Sequence, residues 1–143
     1  MEDDSIKLLK ECSSGCKMAI KSIGQIYEYV KDEKLADLLN GYRDKHEKFD
    51  QEITELLNEN GKEEEEPSAM AKVCSWFDIE VKMFMNADEH QIAKLMMDGC
   101  NMGIQKLSEY VNKYTGASDE YVKLAKRIIK AEEDFMMEMK QFV

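Results

Sequence analysis

Apolar side chains recur with a helical period almost throughout this chain, and no stretch alternates strictly enough to predict a strand. In the first segment Leu9, Cys16, Ile23 and Val30 stand seven residues apart. Cys12, Ala19 and Ile26 flank them on one side and Ile20 and Tyr27 on the other, giving a wide core-facing stripe. A second stripe runs Leu35, Leu39, Tyr42, His46, Phe49, Ile53, Leu56, in steps of four and three. Only Lys31 and Asp32 separate the two stripes, which predicts an antiparallel helical hairpin over 4–59.

A polar connection follows at 60–67, with Gly61 near its start and four consecutive glutamates, Glu63 to Glu66, before Pro67. Pro67 and Ser68 suit the opening of a third helix over 68–86. Its apolar residues, Met70, Val73, Trp76, Phe77, Val81 and Phe84 among them, nearly encircle it, so it must be covered on most sides. Asn86 and Glu89 form a capping-box pattern that opens a second hairpin over 88–143. Its first stripe carries Ala93, Met96, Cys100, Gly103, Leu107, Tyr110 and Tyr114. Gly116 stops that helix and Ser118 caps the next, whose stripe is Ala125, Ile128, Glu132, Phe135, Met139 and Phe142. Two short hairpins joined by a long crossover outline an all-α, antiparallel four-helix bundle with an extra helix in the crossover.

An internal repeat supports this outline. Ser14-Gly15-Cys16-Lys17-Met18-Ala19-Ile20 aligns with Asp98-Gly99-Cys100-Asn101-Met102-Gly103-Ile104, so that Gly, Cys, Met and Ile coincide. The second helix of each hairpin matches as well: Leu38 with Leu124, Glu47 with Glu133, Phe49 with Phe135, Glu52 with Glu138. The hairpins are therefore expected to be related by a pseudo-twofold axis.

Composition narrows the function. The chain is 143 residues, of which 43% are hydrophobic and 35% charged, enough for one domain with its own core. Thirty acidic against 20 basic residues give a net charge of −10, which repels phosphate backbones and anionic lipid. Neither nucleic acid nor a membrane is an expected partner, and no apolar run approaches the roughly 20 residues of a membrane span. The Met-Glu-Asp-Asp-Ser start lacks the features of a secretion signal, which points to the cytoplasm and to cysteines kept as thiols or ligands.

Four polar residues on the core stripes could bind a metal: Cys16, His46, Cys100 and Glu132. Under the repeat Cys16 pairs with Cys100 and His46 with Glu132. A rise of about 1.5 Å per residue places all four roughly 21 to 24 Å from their turns, near mid-bundle. Thiolate and imidazole suit zinc or iron, and one carboxylate would complete a four-coordinate shell. The competing reading is metal-free: buried cysteines as small apolar residues, and Glu132 paired with His46 or with Arg43. Cys12 and Cys16 stand one helical turn apart, too far for an easy disulfide. Cys74 reads as packing, His90 as surface, the methionines as adaptable core filler, with Met136-Met137-Glu138-Met139 as the one methionine run that could face copper or a partner. Trp76 and Phe77 read as core or subunit contact, and the apolar crossover helix suggests a homodimer.

With its hairpin, crossover, hairpin order and its polar groups at matched levels, the chain resembles the ferritin-like superfamily. It is most similar to small bacterial ferritin-like bundles, in which an Asp-Gly-Glu-like triplet opens the first core stripe; here those places read Ser14-Gly15-Cys16 and Asp98-Gly99-Cys100. Di-iron members of the superfamily use a Glu on each of two helices and Glu-x-x-His on each of the others. In this chain the lone glutamates correspond to Cys16 and Cys100, and the Glu-x-x-His positions read Arg43-Asp44-Lys45-His46 and Ile129-Lys130-Ala131-Glu132. The resemblance therefore implies the fold without di-iron oxidase or peroxidase chemistry. What remains is a single Zn or Fe ion on altered ligands, or a metal-free interaction module. Peroxide reduction by the thiols is disfavoured, because no base or resolving cysteine is clearly placed.

Overall fold

Three aspartates open three of the helices. In the computed structural model, which describes residues 3–62 and 88–143, Asp3 accepts the Ile6 amide at 2.9 Å, Asp32 that of Leu35 at 2.9 Å, and Asp88 that of Gln91 at 3.1 Å. Each satisfies an orphan N–H of a first helical turn, and Asp4, Glu33 and Glu89 add a favourable charge there. The helices are α1 (Asp4–Ile26), α2 (Glu33–Glu59), α3 (Glu89–Lys113) and α4 (Asp119–Met139), with 3₁₀ turns at Tyr27–Tyr29 and Lys140–Phe142. The predicted crossover helix at 68–86 lies outside the described residues.

Several boundaries differ from the sequence expectation. The first turn is longer than Lys31-Asp32, because α1 closes into a 3₁₀ turn at Tyr27 and leaves Tyr27 and Val30 outside its buried stripe. Leu57, not Leu56, is the last buried residue of α2: a helix of 3.6 residues per turn drifts against a strict seven-residue repeat. The N-cap of α3 is Asp88, beyond the expected Asn86, which is not among the described residues. Ser118 occupies the N-cap of α4 but makes no side-chain cap bond; its own N–H is instead accepted by Ser5 Oγ at 2.8 Å. At the end of α2, Gly61 takes φ +69, and the Lys62 amide bonds back to the Leu57 carbonyl, closing the helix in the left-handed manner glycine allows.

Polar contacts at one end fix the directions of the helices. Asp4 Oδ2 accepts the Gly116 amide at 2.8 Å, so α1 starts where α3 ends; a Cβ on Gly116 would stand 2.9 Å from that oxygen. Asn60 bonds the Tyr121 hydroxyl, so α2 ends where α4 begins. Helices α1 and α4 thus run one way and α2 and α3 the other. The connection between Lys62 and Asp88 joins opposite ends of the bundle, as a long crossover requires. Helix α1 packs on α2, α3 and, across the bundle, α4, while α2 also packs on α4.

The apolar interior has two parts. One gathers Ile23, Ile26, Leu35, Leu39, Tyr42, Met96, Cys100, Phe135 and Met139 near the first turn. The other gathers Leu8, Leu9, Cys12, Cys16, Ile53, Leu57, Leu124 and Ile128 near the α3–α4 turn. Among the described residues no helix is long and apolar enough to cross a membrane. Between the two apolar clusters lie His46 and Glu132, both buried.

Candidate functional site

At the middle of the bundle, α2 and α4 each project a long polar side chain inward. His46 is fully buried and Glu132 is 5% exposed, and His46 Nε2 lies 2.6 Å from Glu132 Oε1. Tyr42, one turn before His46 on the same stripe, places its hydroxyl 2.8 Å from Oε1 and 2.7 Å from Oε2. The other ring nitrogen, Nδ1, is 2.8 Å from the Tyr42 carbonyl oxygen. A carbonyl only accepts, so Nδ1 carries a proton and donates. Whichever of His46 Nε2 and Glu132 holds the second proton, the pair is neutral overall.

Cys100 extends the network from α3. Its Sγ lies 3.9 Å from the Tyr42 hydroxyl, which can accept a weak S–H bond while donating to Glu132. Gly103, one turn on, lies against the carboxyl group: a methyl there would touch Glu132 Cδ at 3.7 Å. The Tyr42 ring is flanked by His46 and by Phe135, each at 4.1 Å between centroids. The seam between α2 and α4 is therefore packed as well as bonded.

Of the four predicted ligands, His46 and Glu132 meet directly and Cys100 stands at the edge of their network. Cys16 packs in the apolar cluster toward the α3–α4 turn, close enough for its thiol to feel the Glu132 charge. The metal-free partner of Glu132 is His46 rather than Arg43, whose guanidinium bonds Asn40 Oδ1 and lies over the Tyr27 ring. Tyr42 was read from the sequence only as an apolar stripe position. The available signal was a core tyrosine four residues before a core histidine, because a buried hydroxyl needs a partner.

Burial dominates the thiols. It pushes Cys12 up to about 12, with the nearby Glu11 charge adding to the effect. Cys16 and Cys100 are raised well above the ordinary thiol value, first by burial and then, for Cys100, by the Glu132 carboxylate. All three are free and buried, and none resembles the low-pKa, accessible thiolate of a peroxide-reducing site. The Tyr42 hydroxyl is raised for the same two reasons and stays a donor.

A cleft of about 200 Å³ opens between α1 and α3 and reaches this network. Its walls follow the sequence repeat: Gly15, Met18 and Ala19 from α1 face Gly99, Met102 and Gly103 from α3. Tyr42, Cys100, Ile128 and Glu132 line its inner part, and Glu11, Lys106 and Tyr110 stand among the residues nearer the helix surfaces. A Cβ built on Gly15 or Gly99 would meet nothing within 4 Å, so these glycines leave space that neighbours do not fill.

No protein-family model matches the chain, and no curated protein does either. Among solved structures, the crystal structure of Dps92 from Deinococcus radiodurans matches at a TM-score of 0.76 and 14% identity, over 97% of this chain and 85% of that one. The fold is ferritin-like. At that identity the likeness speaks for the architecture, and the chemistry must be read from the side chains. A ferritin-like di-iron centre does not fit them: the places of the two lone glutamates hold Cys16 and Cys100, and Glu132 takes the place of a histidine. Among the described residues, no three His, Cys, Asp or Glu side chains are grouped as ligands for one ion.

Proposed function

We propose that this chain is a metal-free, non-catalytic ferritin-like bundle that acts as an interaction module, its centre held by hydrogen bonds where related folds use metal. One observation carries this reading. Both Glu132 oxygens are engaged by Tyr42 and His46, and among the described residues no buried side-chain nitrogen or oxygen lacks a partner. A carboxylate sited for an absent ion would leave such an orphan acceptor. Association with a second copy through the apolar segment 68–86, for which the sequence predicts a helix, is the accompanying proposal, resting on a pattern too apolar to face water on any wide side.

A second reading keeps a single Zn or Fe ion on Cys16, His46, Cys100 and Glu132. The clustering of imidazole, carboxylate and one thiol around the Tyr42 hydroxyl favours it. An ion there would have to displace that hydroxyl and deprotonate thiols that burial holds protonated.

Elemental analysis of protein purified without chelator or histidine tag separates the two. The metal-free reading expects negligible zinc and iron and an unfolding transition unmoved by EDTA. Near one equivalent of metal, lost in Cys16→Ser and Cys100→Ser, overturns it. Light scattering tests association: a mass of two copies is expected, and a strict monomer removes the dimer.

A further inference from the structure

We infer that the cleft between α1 and α3 is a binding site for a small neutral aromatic carrying one O–H or N–H donor, such as a phenol or an indole. The size comes first. Its volume of about 200 Å³ slightly exceeds the roughly 150 Å³ of an engineered apolar cavity known to take benzene, so a body of about seven to nine heavy atoms fits. The walls come next. Met18, Met96 and Met102, with Leu107 and Ile128, form an adaptable apolar lining, and thioether sulfurs make favourable contacts with aromatic edges.

The inner end decides the polar group. Tyr42 shares its single proton between the two Glu132 oxygens and His46 Nε2 lies against Oε1 alone, so Oε2, the oxygen beside Gly103 in the cleft wall, keeps the larger capacity for a further donor. An anion placed there would face the carboxylate. A cation would face a His46–Glu132 pair that is already neutral as a whole, and would give up its hydration without a free counter-charge. A neutral donor avoids both costs. This inference rests on the metal-free reading of the centre, since an ion on Glu132 would claim the same oxygen.

The glycines make the site testable without touching the network. Gly15→Leu and Gly99→Leu each direct a side chain into the space that a Cβ at those positions finds open. Both replace a helix-interior glycine with a better helix former, so the bundle should remain folded.

The experiment titrates EDTA-treated full-length chain, its metal content measured beforehand, with phenol, toluene, benzoate and benzylammonium by calorimetry and amide NMR. Phenol is expected to bind with a dissociation constant on the order of 0.1 to 1 mM, shifting the Gly15, Gly99 and Gly103 amides. Toluene should bind about tenfold more weakly, benzoate and benzylammonium more weakly still. Each leucine variant, once its helix content is confirmed, should lose phenol affinity at least about tenfold. The inference is overturned by absence of phenol binding at 10-millimolar order, by charged analogues binding as well as phenol, or by unchanged affinity in both folded variants. Metal-free protein that ignores phenol sinks this inference alone, whereas an equivalent of metal in untreated protein sinks the metal-free reading whatever phenol does.

Discussion

The seam between α2 and α4 and the seam between α1 and α3 are opposite sides of one bundle, and the internal repeat supplies helices of similar pattern to each. At the first, Tyr42, His46, Phe135 and Glu132 fill the space with rings and give each buried polar atom a partner. At the second, Gly15 and Gly99 offer no side chain to the space between the helices, and a cleft remains. The difference lies in a few residues. Alignment of the two hairpins pairs Tyr42 with Ile128 and His46 with Glu132, so the hydroxyl, the imidazole and the carboxylate are the asymmetric part of a symmetric frame. One seam has become a lock and the other an opening onto it.

Breaking the lock should cost most. Glu132→Ala leaves His46 buried without its partner, and a loss of about 3–5 kcal/mol is expected in denaturant unfolding. A loss below about 1 kcal/mol would show that the pair is not the centre of the bundle. Tyr42→Phe keeps the ring contacts and removes only the hydroxyl, so a smaller loss of about 1.5–3 kcal/mol is expected at unchanged fold.

The buried thiols provide a pH test. In the unfolded chain they ionise near their ordinary value of 9, whereas Cys12 in the folded chain is pushed up to about 12, and Cys16 and Cys100 are likewise raised. Between those limits the unfolded state binds fewer protons than the folded one, so stability is complete below about pH 9 and falls as pH rises. The expected slope is up to about 1.4 kcal/mol per pH unit for each thiol. Urea midpoints at pH 8, 9 and 10 for the wild-type chain and Cys12→Ala would measure it, and identical pH dependence in both would remove Cys12 from the account.

The smallest effect concerns the opening itself. Gly15→Ala and Gly99→Ala should each stabilise by about 0.5–1 kcal/mol, because the added methyl meets no neighbour and stiffens the unfolded chain. A destabilisation in both would mean that the α1–α3 seam is already closed in solution. Gly116→Ala makes the contrast, since its methyl would press on Asp4 Oδ2 and disturb the bond between α1 and the α3–α4 turn.

Much of this molecule is legible in its residue pattern. The apolar period determines four helices and the short turns determine which neighbours pack, whereas the caps Asp3, Asp32 and Asp88 emerge only in the structure, the last in place of the expected Asn86. The rise per residue was enough to place His46 and Glu132 at one level, because a straight helix converts sequence distance into height. Azimuth is another matter. Whether Cys16 faces the same point as Cys100, whether Arg43 or His46 reaches Glu132, and whether a stripe tyrosine contributes its ring or its hydroxyl all depend on how each helix is rotated against its neighbours. A few tens of degrees of rotation, set by the packing of many side chains at once, decides such contacts. The glycines show the same division: the sequence by itself places Gly15 and Gly99 at equivalent positions of a repeat, and only the assembled bundle, by leaving nothing opposite them, turns that repeat into a cleft.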